Sequence, residues 1–409
     1  MTPRAYPALT VTEKAERALR GGHPWVYGEE VTVREPVPKS GDIVDVFSRK
    51  GRYLGTGFYN SVSKIAVRLL SRCANDRFDE PFWRRKVAWA VAYRRTVMGP
   101  DDFACCRLIF GEADGFPGLT ADLFGDVLVT EVLCFGMERV KATVYAALRE
   151  ELQKYGVCLR VIYERSDSPL RKKEGLEPFC GFFDADGLQT SDSGEVDITE
   201  NGILYTVNYI TGQKTGFFLD QKYNRLAAAR IAAGRYVLDC FTHTGSFALN
   251  AARAGAAHVT AVDISAQAVA MAERNARRNG LEARMDFREA DVFDLLSDLF
   301  ARGNSPYDYI ILDPPAFTKS NATLKAAYRG YKEINLKAMK LLPRGGYLAT
   351  CSCSHFMTDE LFRRMLAEAA ADAGVSLRQI EGRQQAPDHP ILWGVSETDY
   401  LKFYLFQVV

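Results

Sequence analysis

Paired cysteines, long hydrophobic runs and an excess of one charge sign are all missing from this sequence of 409 residues. The nine cysteines are odd in number and scattered without C-x-x-C spacings, a pattern that predicts neither a disulfide framework nor a zinc site. No apolar run approaches the roughly 20 residues of a membrane span, and the opening MTPRAYPALT lacks a signal-peptide core. A net charge of +1 is small for a nucleic-acid binder. A cytoplasmic protein with no bound metal and no membrane contact is therefore expected.

A G-x-G-x-x-G fingerprint is also missing, although the second half contains a strand, tight turn and helix start. The apolar residues 236–238 lead into Asp239, Thr242 and Gly245, and a helical pattern follows. Gly245 allows close approach of backbone to a ligand, and free N–H groups at the helix start favour a polar or anionic group. With a single glycine in the turn, the pattern disfavours NAD and favours S-adenosylmethionine, whose carboxylate and amine take the place of the pyrophosphate.

Two further aspartates follow predicted strands in order. Asp263 ends a strand at 258–262, at the position where a βαβ unit carries an acidic residue for ribose hydroxyls. Asp291 follows a strand at 285–288, where a side chain can meet an adenine amino group. The alternative interpretation is a ligand-free α/β core with ordinary loop aspartates. Three acidic strand ends in sequence favour the cofactor site.

The later strands narrow the chemistry. A buried-type strand at 309–312 ends at Asp313, and another at 347–350 ends at Cys351, Ser352 and Cys353. Cytosine C5 is a poor nucleophile, so its methylation requires a thiolate to add to C6 first. Cys353 is placed for this role beside the cofactor. The alternative is a small buried apolar residue, which is the commoner role of a lone cysteine and suits Cys351 better.

These segments resemble the ribosomal RNA large-subunit methyltransferase I family, which are cytosine C5 methyltransferases with a Rossmann-like catalytic domain. The resemblance covers nearly the whole chain, and TGQKTGFFLDQKYNR at 211–225 is its most specific segment. It rests further on VLDCFTHTG, AVDIS, EADVF, DPPAF, TCSCSHF, RGYKEINLKAMKLL and APDHP in the second half, and on GHPWVYGEE, GRYLGTGFYN, GEADGFPGLTADLFGDVLV and ERSDSPLRKKEGLE in the first half.

The resemblance implies roles for individual residues. Cys353 matches the nucleophile and Asp313 matches the substrate-side loop, with Pro314 and Pro315 beside it. The resemblance leaves the base for the C5 proton open, and Asp313 is a candidate for it by position alone. The residues matching cofactor positions are Phe218 and Asp220 in the pocket wall, Thr242 and Gly245 at the methionine end, Asp263 at the ribose and Asp291 at the adenine. Two features differ from related enzymes: Cys351 stands where an apolar residue is usual, and DPPAF lacks the second thiol that many RNA cytosine methyltransferases carry there.

The fold class expected is α/β, with three domains. Residues 1–75 show short strands and glycine turns and resemble a PUA domain, an RNA-binding fold. Residues 76–190 are predicted to form a central α+β domain. Residues 191–409 are predicted to form a Rossmann-like methyltransferase domain with a mostly parallel, doubly wound sheet. Residues 1–75 hold 12 Lys and Arg against 7 Asp and Glu. The candidate phosphate contacts are Arg49, Lys50, Arg52 and Lys64, for which a solvated charged hairpin is the alternative.

The leading functional prediction is an S-adenosylmethionine-dependent methyltransferase acting on C5 of a cytosine in 23S ribosomal RNA. One alternative is methylation of a guanine or adenine nitrogen, for which Cys353 is dispensable. Another is a catalytically inactive RNA-binding assembly factor, against which the intact Asp263, Asp291 and Asp313 argue. Because the target base must leave its stack, the expected partner is naked or partly assembled rRNA. A homodimer stays an open alternative to a monomer.

Overall fold

The computed structural model describes residues 6–303 and 305–409. This part of the chain divides into two compact units. The first contains the residues up to Ile198 together with Val207–Leu219 and Pro387–Thr398. The second contains Thr199–Thr206, Asp220–Ala386 and Asp399–Val409. Both units are therefore built from segments that are separated in the sequence.

The first sheet of the first unit is the β-rich module that the glycine turns predict. Its six strands lie in the order β2-β6-β5-β4-β1-β3, with β1 parallel to β4 and the other neighbours antiparallel. Fully buried Val11, Val44 and Val67 belong to its core. The elements are β1 (Ala8–Val11), α1 (Glu13–Arg20), β2 (Trp25–Tyr27), β3 (Val31–Glu35), β4 (Ile43–Ser48), β5 (Tyr53–Tyr59) and β6 (Ile65–Ser71).

The second sheet of this unit has the strand order β11-β10-β9-β8-β7, with only β9 and β10 parallel to each other. Its elements are α2 (Glu80–Val97), β7 (Cys105–Phe110), β8 (Leu119–Phe124), β9 (Val127–Val132), α3 (Phe135–Gln153), β10 (Val161–Ser166), α4 (Leu170–Lys173) and β11 (Phe179–Phe182). The fully buried Arg94 of α2 bonds both oxygens of Asp114 over 2.6 and 2.8 Å. It also donates to the Asp388 carbonyl over 2.7 Å, so Asp388 of the APDHP motif contributes to the packing of this unit.

A two-stranded sheet follows, formed by β12 (Glu195–Glu200) and β13 (Ile203–Asn208). Asn201 and Gly202 between the strands have φ of 55° and 73°. Two consecutive residues with positive φ are what a tight hairpin turn needs, and Asn-Gly is the commonest pair for it.

The second unit contains the expected doubly wound sheet, in the order β16-β15-β14-β17-β18-β20-β19. The first five strands are parallel, and β20 is antiparallel to both of its neighbours. The strands are β14 (Tyr236–Cys240), β15 (His258–Asp263), β16 (Met285–Glu289), β17 (Tyr309–Leu312), β18 (Tyr347–Ser352), β19 (Leu377–Arg383) and β20 (Lys402–Val408). The winding direction changes between β14 and β17, which is where such sheets bind their ligands.

The helices of the second unit are α5 (Lys222–Ala229), α6 (Ser246–Arg253), α7 (Ala266–Arg278), α8 (Val292–Arg302), α9 (Leu324–Leu341) and α10 (Asp359–Ala373). Side-chain oxygens of Ser265, Asp291 and Thr358 cap the first turns of α7, α8 and α10. A core of buried residues from β14, β17, α9 and α10 includes Leu238, Ile310, Met339 and Phe362. It fixes the strand ends that carry the candidate site.

Short 3₁₀ helices complete the described elements. They span Gly28–Glu30, Pro100–Asp102, Gly111–Asp114, Leu219–Gln221, Glu282–Arg284, Asn321–Thr323 and Ser396–Thr398. The division into three domains, with boundaries after residues 75 and 190, stays a prediction. The two contact-defined units follow other boundaries, because the first unit includes both the six-stranded and the five-stranded sheet.

Candidate active site

The candidate residues from Thr242 to Cys353 lie at or just after the carboxyl ends of parallel strands. Because β14 to β18 run in the same direction, these ends share one edge of the sheet. Open α/β sheets bind ligands at this edge. The strand order therefore brings together residues that are more than 100 positions apart in the sequence.

The turn after β14 has an unusual backbone. Phe241, His243 and Gly245 all have positive φ, at 64°, 51° and 84°. Non-glycine residues rarely adopt this conformation, and its occurrence at two of them marks strain of the kind found at functional sites. Gly245 also lies against α7, since a Cβ atom there would stand 3.0 Å from the Ala272 Cβ. Glycine is therefore needed at 245 for packing as well as for any close approach to a ligand.

Thr242 stabilises this turn through its side-chain hydroxyl. Its hydroxyl donates to the Asp239 Oδ2 over 2.6 Å, and the Ala248 N–H donates to the same oxygen over 2.9 Å. Asp239 is fully buried, and burial raises its pKa to about 7. Thr242 and Asp239 together join the strand end to the first turn of α6.

Asp263 holds the same turn from the neighbouring strand. Its Oδ2 accepts from the His243 N–H over 2.9 Å, and its Oδ1 accepts from the Ser265 N–H over 3.0 Å. The side chain is partly exposed. Each carboxylate oxygen can accept two hydrogen bonds, so capacity for ligand hydroxyls remains on both.

Asp291 is the N-cap of α8. Its Oδ1 accepts from the Phe293 N–H over 2.7 Å, and the side chain is exposed. The residue before it, Ala290, donates its N–H to the Asp263 carbonyl over 3.0 Å. The structure thus places Asp291 beside the end of β15, with its Oδ1 engaged as a helix cap.

Asp313 is held by a residue that the motif reading did not single out. The Gln221 Nε2 donates to the Asp313 Oδ1 over 2.8 Å, and Gln221 in turn accepts from Asn224 over 2.7 Å. Burial raises the pKa of Asp313 to about 6, although the Arg225 guanidinium acts in the opposite direction. A carboxyl group in this range exchanges its proton near neutral pH.

The loops after β17 and β18 are tied together. Cys353 Sγ lies 3.9 Å from the Pro314 carbonyl oxygen, and the Ser354 hydroxyl donates to the Thr318 carbonyl over 2.9 Å. Phe317 anchors the Pro-Pro loop, because its ring packs on Tyr331 with centroids 4.5 Å apart. Pro315 is exposed.

The two thiols of TCSCS differ in their surroundings. Cys351 lies within β18 and is fully buried, and burial raises its pKa well above the usual value. Cys353 lies beyond the strand end and is partly exposed. Of these two thiols, Cys353 is the one that a substrate base can reach.

Lys402 is a second residue that the sequence motifs did not reveal. It pairs with Ser352 across β18 and β20, and only 5% of the residue is exposed. Its ammonium donates to the Ser354 and Tyr400 carbonyl oxygens over 2.6 and 2.7 Å. Burial lowers the pKa of Lys402 to about 8, while the Cys353 thiolate raises it. A positive group thus stands within electrostatic reach of the candidate nucleophile.

The two remaining cofactor candidates belong to different units. Phe218 is part of the first unit, where the Lys214 ammonium lies 4.8 Å from its ring centroid. Asp220 is part of the second unit, where it is buried and its Oδ2 accepts from the Tyr400 hydroxyl over 2.6 Å. Asp220 therefore has a structural contact of its own.

The four candidate phosphate contacts are all exposed, but they do not form one patch. Arg49, Lys50 and Arg52 lie at the turn between β4 and β5, whereas Lys64 lies between β5 and β6. These two turns are at opposite ends of β5. The charged hairpin and Lys64 are therefore two separate basic positions.

Neither a metal-binding cluster nor a membrane-spanning helix is found among the described residues. Within 6–303 and 305–409, no cluster of three or more His, Cys, Asp or Glu side chains is suited to hold a metal ion. Among the helices in these same ranges, none is both long and apolar enough to cross a membrane.

Two known protein families match this chain, one at its N-terminal end and one over most of the remainder. Residues 107–407 match the S-adenosylmethionine-dependent methyltransferase family, and residues 9–72 match the PUA-like domain. A ribosomal RNA large subunit methyltransferase I from Shewanella denitrificans is 42% identical, with 95% of this chain and 96% of the relative covered. The chain belongs to this family. A relative of the same name from Klebsiella pneumoniae is 37% identical, with both chains fully covered.

The present chain has the same fold as a solved structure from Streptococcus mutans, which is described as a SAM-dependent methyltransferase. Its TM-score is 0.81 at 22% identity, with 98% of this chain and 99% of that chain covered. The family matches confirm the PUA-like N-terminal domain and the S-adenosylmethionine cofactor expected from the sequence, and the shared fold confirms the α/β class. The site fits such a cofactor, since the strained turn, Asp263 and the start of α6 offer the backbone donors and carboxylate oxygens that it needs.

Proposed function

We propose that this protein methylates C5 of a cytosine in large-subunit ribosomal RNA, with Cys353 as the nucleophile. The observation that carries this proposal is the placement of Cys353. Its thiol is partly exposed at the cofactor edge of the sheet, 3.9 Å from the Pro314 carbonyl, while Cys351 is fully buried. The names of the relatives support ribosomal RNA as the substrate.

The chemistry assigned to Cys353 is covalent catalysis. Its sulfur forms a bond to C6 of the cytosine, and the electrons of the C5–C6 double bond make C5 nucleophilic. Bound S-adenosylmethionine would supply an electrophilic methyl group on a sulfonium sulfur, and the electrons of the broken S–CH3 bond would stay on that sulfur, leaving a neutral thioether. Once C5 carries the methyl group, removal of the C5 proton restores the double bond and expels the Cys353 thiolate from C6.

Asp313 is our candidate for handling that proton. Its pKa of about 6 suits a group that takes up and releases a proton near neutral pH, and Gln221 fixes one of its oxygens. Pro314 and Pro315 form the substrate-side wall beside it. Asp313 follows β17 directly, so it shares the sheet edge with Cys353.

The cofactor roles follow the same geometry. Asp263 accepts the ribose hydroxyls with the free capacity of its two oxygens, and the turn containing Thr242 and Gly245 meets the methionine end. Asp291 meets the adenine amino group with the oxygen that does not cap α8. Asp220 completes the part of the proposed pocket that lies in the second unit.

The RNA contacts proposed for the first unit are Arg49, Lys50, Arg52 and Lys64, all of which are exposed. Basic side chains on a PUA-like domain suit the phosphate backbone, which dominates the affinity of RNA binding. Because a stacked base hides its C5 and C6 atoms, the preferred substrate is naked or partly assembled rRNA.

The test is bisulfite sequencing of rRNA from a strain without this gene beside its parent. Purified wild-type and Cys353→Ala protein are then added to the unmodified RNA. Loss of one protected cytosine in the deletion strain, restored by the wild type alone, supports the reaction, substrate and nucleophile together. If no cytosine changes, the thiol mechanism is wrong, and methylated guanines or adenines become the products to look for.

A further inference from the structure

A cavity of about 700 Å³ lies within the first unit, and none of its lining residues belongs to the proposed methyl-transfer site. It is lined by residues of β2 and β6, by the turn before β6, and by the segment Leu170–Glu174. The volume is within the range of small-molecule sites, roughly 300–1,000 Å³. Its lining therefore includes residues of the six-stranded sheet and residues of the segment that follows β10 in the five-stranded sheet.

A partly buried ion network forms one wall of the cavity. The Arg68 guanidinium bonds Glu112 and Glu174 over 2.9 Å each, and the Trp25 Nε1 donates to Glu112 over 2.9 Å. Arg68 and Glu174 are 106 positions apart in the sequence. The Asn60 side chain also donates to Glu174, over 3.1 Å. This wall is therefore fixed by hydrogen bonds before any ligand arrives.

The rim of the cavity carries exposed lysines, in contrast to the ion-paired Arg68 of the wall. Lys64, Lys172 and Lys173 line the cavity, and all three are exposed. Their ammonium groups form no ion pair with any residue in 6–303 or 305–409. With Arg68, the cavity has four basic residues against the two carboxylates of Glu112 and Glu174. Its surroundings are consequently suited to an anion.

Apolar groups stand beside these lysines. Val62 is 64% exposed and Leu170 is 50% exposed, and both line the cavity together with Trp25. Proteins that bind single-stranded nucleic acid combine basic side chains along the phosphates with aromatic and apolar surfaces for the bases. A simple anion site would not need the apolar wall, and an apolar ligand would not need three lysines.

We infer that this cavity binds a single-stranded segment of the substrate RNA, with Lys64, Lys172 and Lys173 on its phosphates and a base against Trp25, Val62 and Leu170. The inference rests on the proposed function, because it takes ribosomal RNA as the substrate. It assigns to Lys64 a site shared with Lys172 and Lys173, separate from the β4–β5 hairpin.

The experiment uses the full-length protein with Lys64→Glu, Lys172→Glu and Lys173→Glu combined. Methyl incorporation into unmodified large-subunit rRNA is measured against RNA concentration at several salt concentrations. We expect KM for RNA to rise at least tenfold, with the change expressed in KM rather than kcat. The slope of log affinity against log salt is expected to fall by about 2, since each lost phosphate contact on a single strand contributes about 0.7.

The matched control is Arg77→Glu, which reverses an exposed charge in the same unit outside the cavity lining. Thermal unfolding and cofactor affinity of each variant show that the fold is intact, and the combined Lys→Gln variant repeats the test without adding negative charge. If KM is unchanged, or if Arg77→Glu raises it equally, the cavity is not the RNA site. Failure of the wild type to methylate rRNA would instead contradict the proposed function, so the two failures are distinguishable.

Discussion

The Lys402 ammonium donates to the carbonyl oxygen of Ser354 over 2.6 Å, which connects β20 to the residue directly after Cys353. The lysine is buried, and its two hydrogen-bond acceptors are backbone carbonyls. A buried ammonium is costly unless something compensates for its charge. A thiolate at Cys353 is a suitable partner, and its charge already raises the Lys402 pKa against the effect of burial.

We therefore expect Lys402→Met to make Cys353 less reactive. An opposite charge nearby favours the ionised form of a thiol, so its loss moves the midpoint of alkylation against pH upward by about 1. Because the Lys402 pKa is about 8, the ammonium is present below that pH and is lost above it. A midpoint shift of about 1 makes alkylation of Cys353 roughly tenfold slower in the variant at a pH where the thiol is mostly protonated. This difference in alkylation rate should be largest near pH 7 and disappear above about pH 9.

Iodoacetamide labelling, followed by mass spectrometry that separates Cys353 from Cys351, measures this difference. Lys325→Met is the matched control, since it removes an exposed ammonium from the same unit. A role of Lys402 in folding alone would lower stability without changing the pH profile. That result, or equal profiles for both proteins, would contradict electrostatic support of the thiolate.

The neighbouring cysteines provide a second prediction. Cys353→Ala should abolish methyl transfer, with a loss of at least 10⁴-fold, while cofactor affinity stays within about twofold, because the thiol acts on the base. Cys351→Ala should retain activity within tenfold and lower stability by roughly 1 kcal/mol, as expected for a small buried side chain. Steady-state methylation, calorimetric cofactor binding and thermal unfolding test the pair. Activity in Cys353→Ala together with inactivity in Cys351→Ala would exchange the two roles.

A third prediction concerns Asp263. Asp263→Ala removes a carboxylate that accepts from the His243 and Ser265 N–H groups, and we expect S-adenosylmethionine affinity to fall ten- to hundredfold. Calorimetric titration with the cofactor measures this. Asp286→Ala is the control, because it removes an exposed carboxylate from the adjacent strand β16. Unchanged affinity in Asp263→Ala would exclude Asp263 from the ribose role.

Much of the second unit was predictable from local sequence, for a physical reason. Parallel strands buried on both faces are short apolar runs, and the predicted strand at 309–312 coincides with β17. The acidic residues after such runs were found for the same reason. The glycine of the turn was also predicted, but only one of the two reasons for it. Gly245 packs against Ala272 of α7, 27 positions away, and no local sequence pattern shows that contact.

The residues that local reading missed depend on long-range pairing. Lys402 gains its position near Cys353 only because β20 pairs with β18 in antiparallel register. Gln221 reaches Asp313 across 92 positions. Conversely, Lys64 and the charged hairpin at 49–52 are close in sequence but lie at opposite ends of β5. The cavity lined by Lys64, Lys172 and Lys173 could not be predicted either, since these lysines come from two segments that meet only in the fold.

The last prediction concerns the pH dependence of stability through Asp239. Its folded pKa of about 7 exceeds the unfolded value of 3.8, so its contribution to stability is fully present below pH 4 and is lost as the pH rises through 7. Asp239→Asn keeps an acceptor for Thr242 and Ala248 without the buried charge. The cofactor-free variant should therefore match wild type near pH 4 and be more stable by roughly 4 kcal/mol at pH 8, at about 1.4 kcal/mol per pKa unit. Denaturant unfolding across this range tests it, with the exposed Asp298→Asn as control. A difference that is flat with pH would show that Asp239 is ionised throughout.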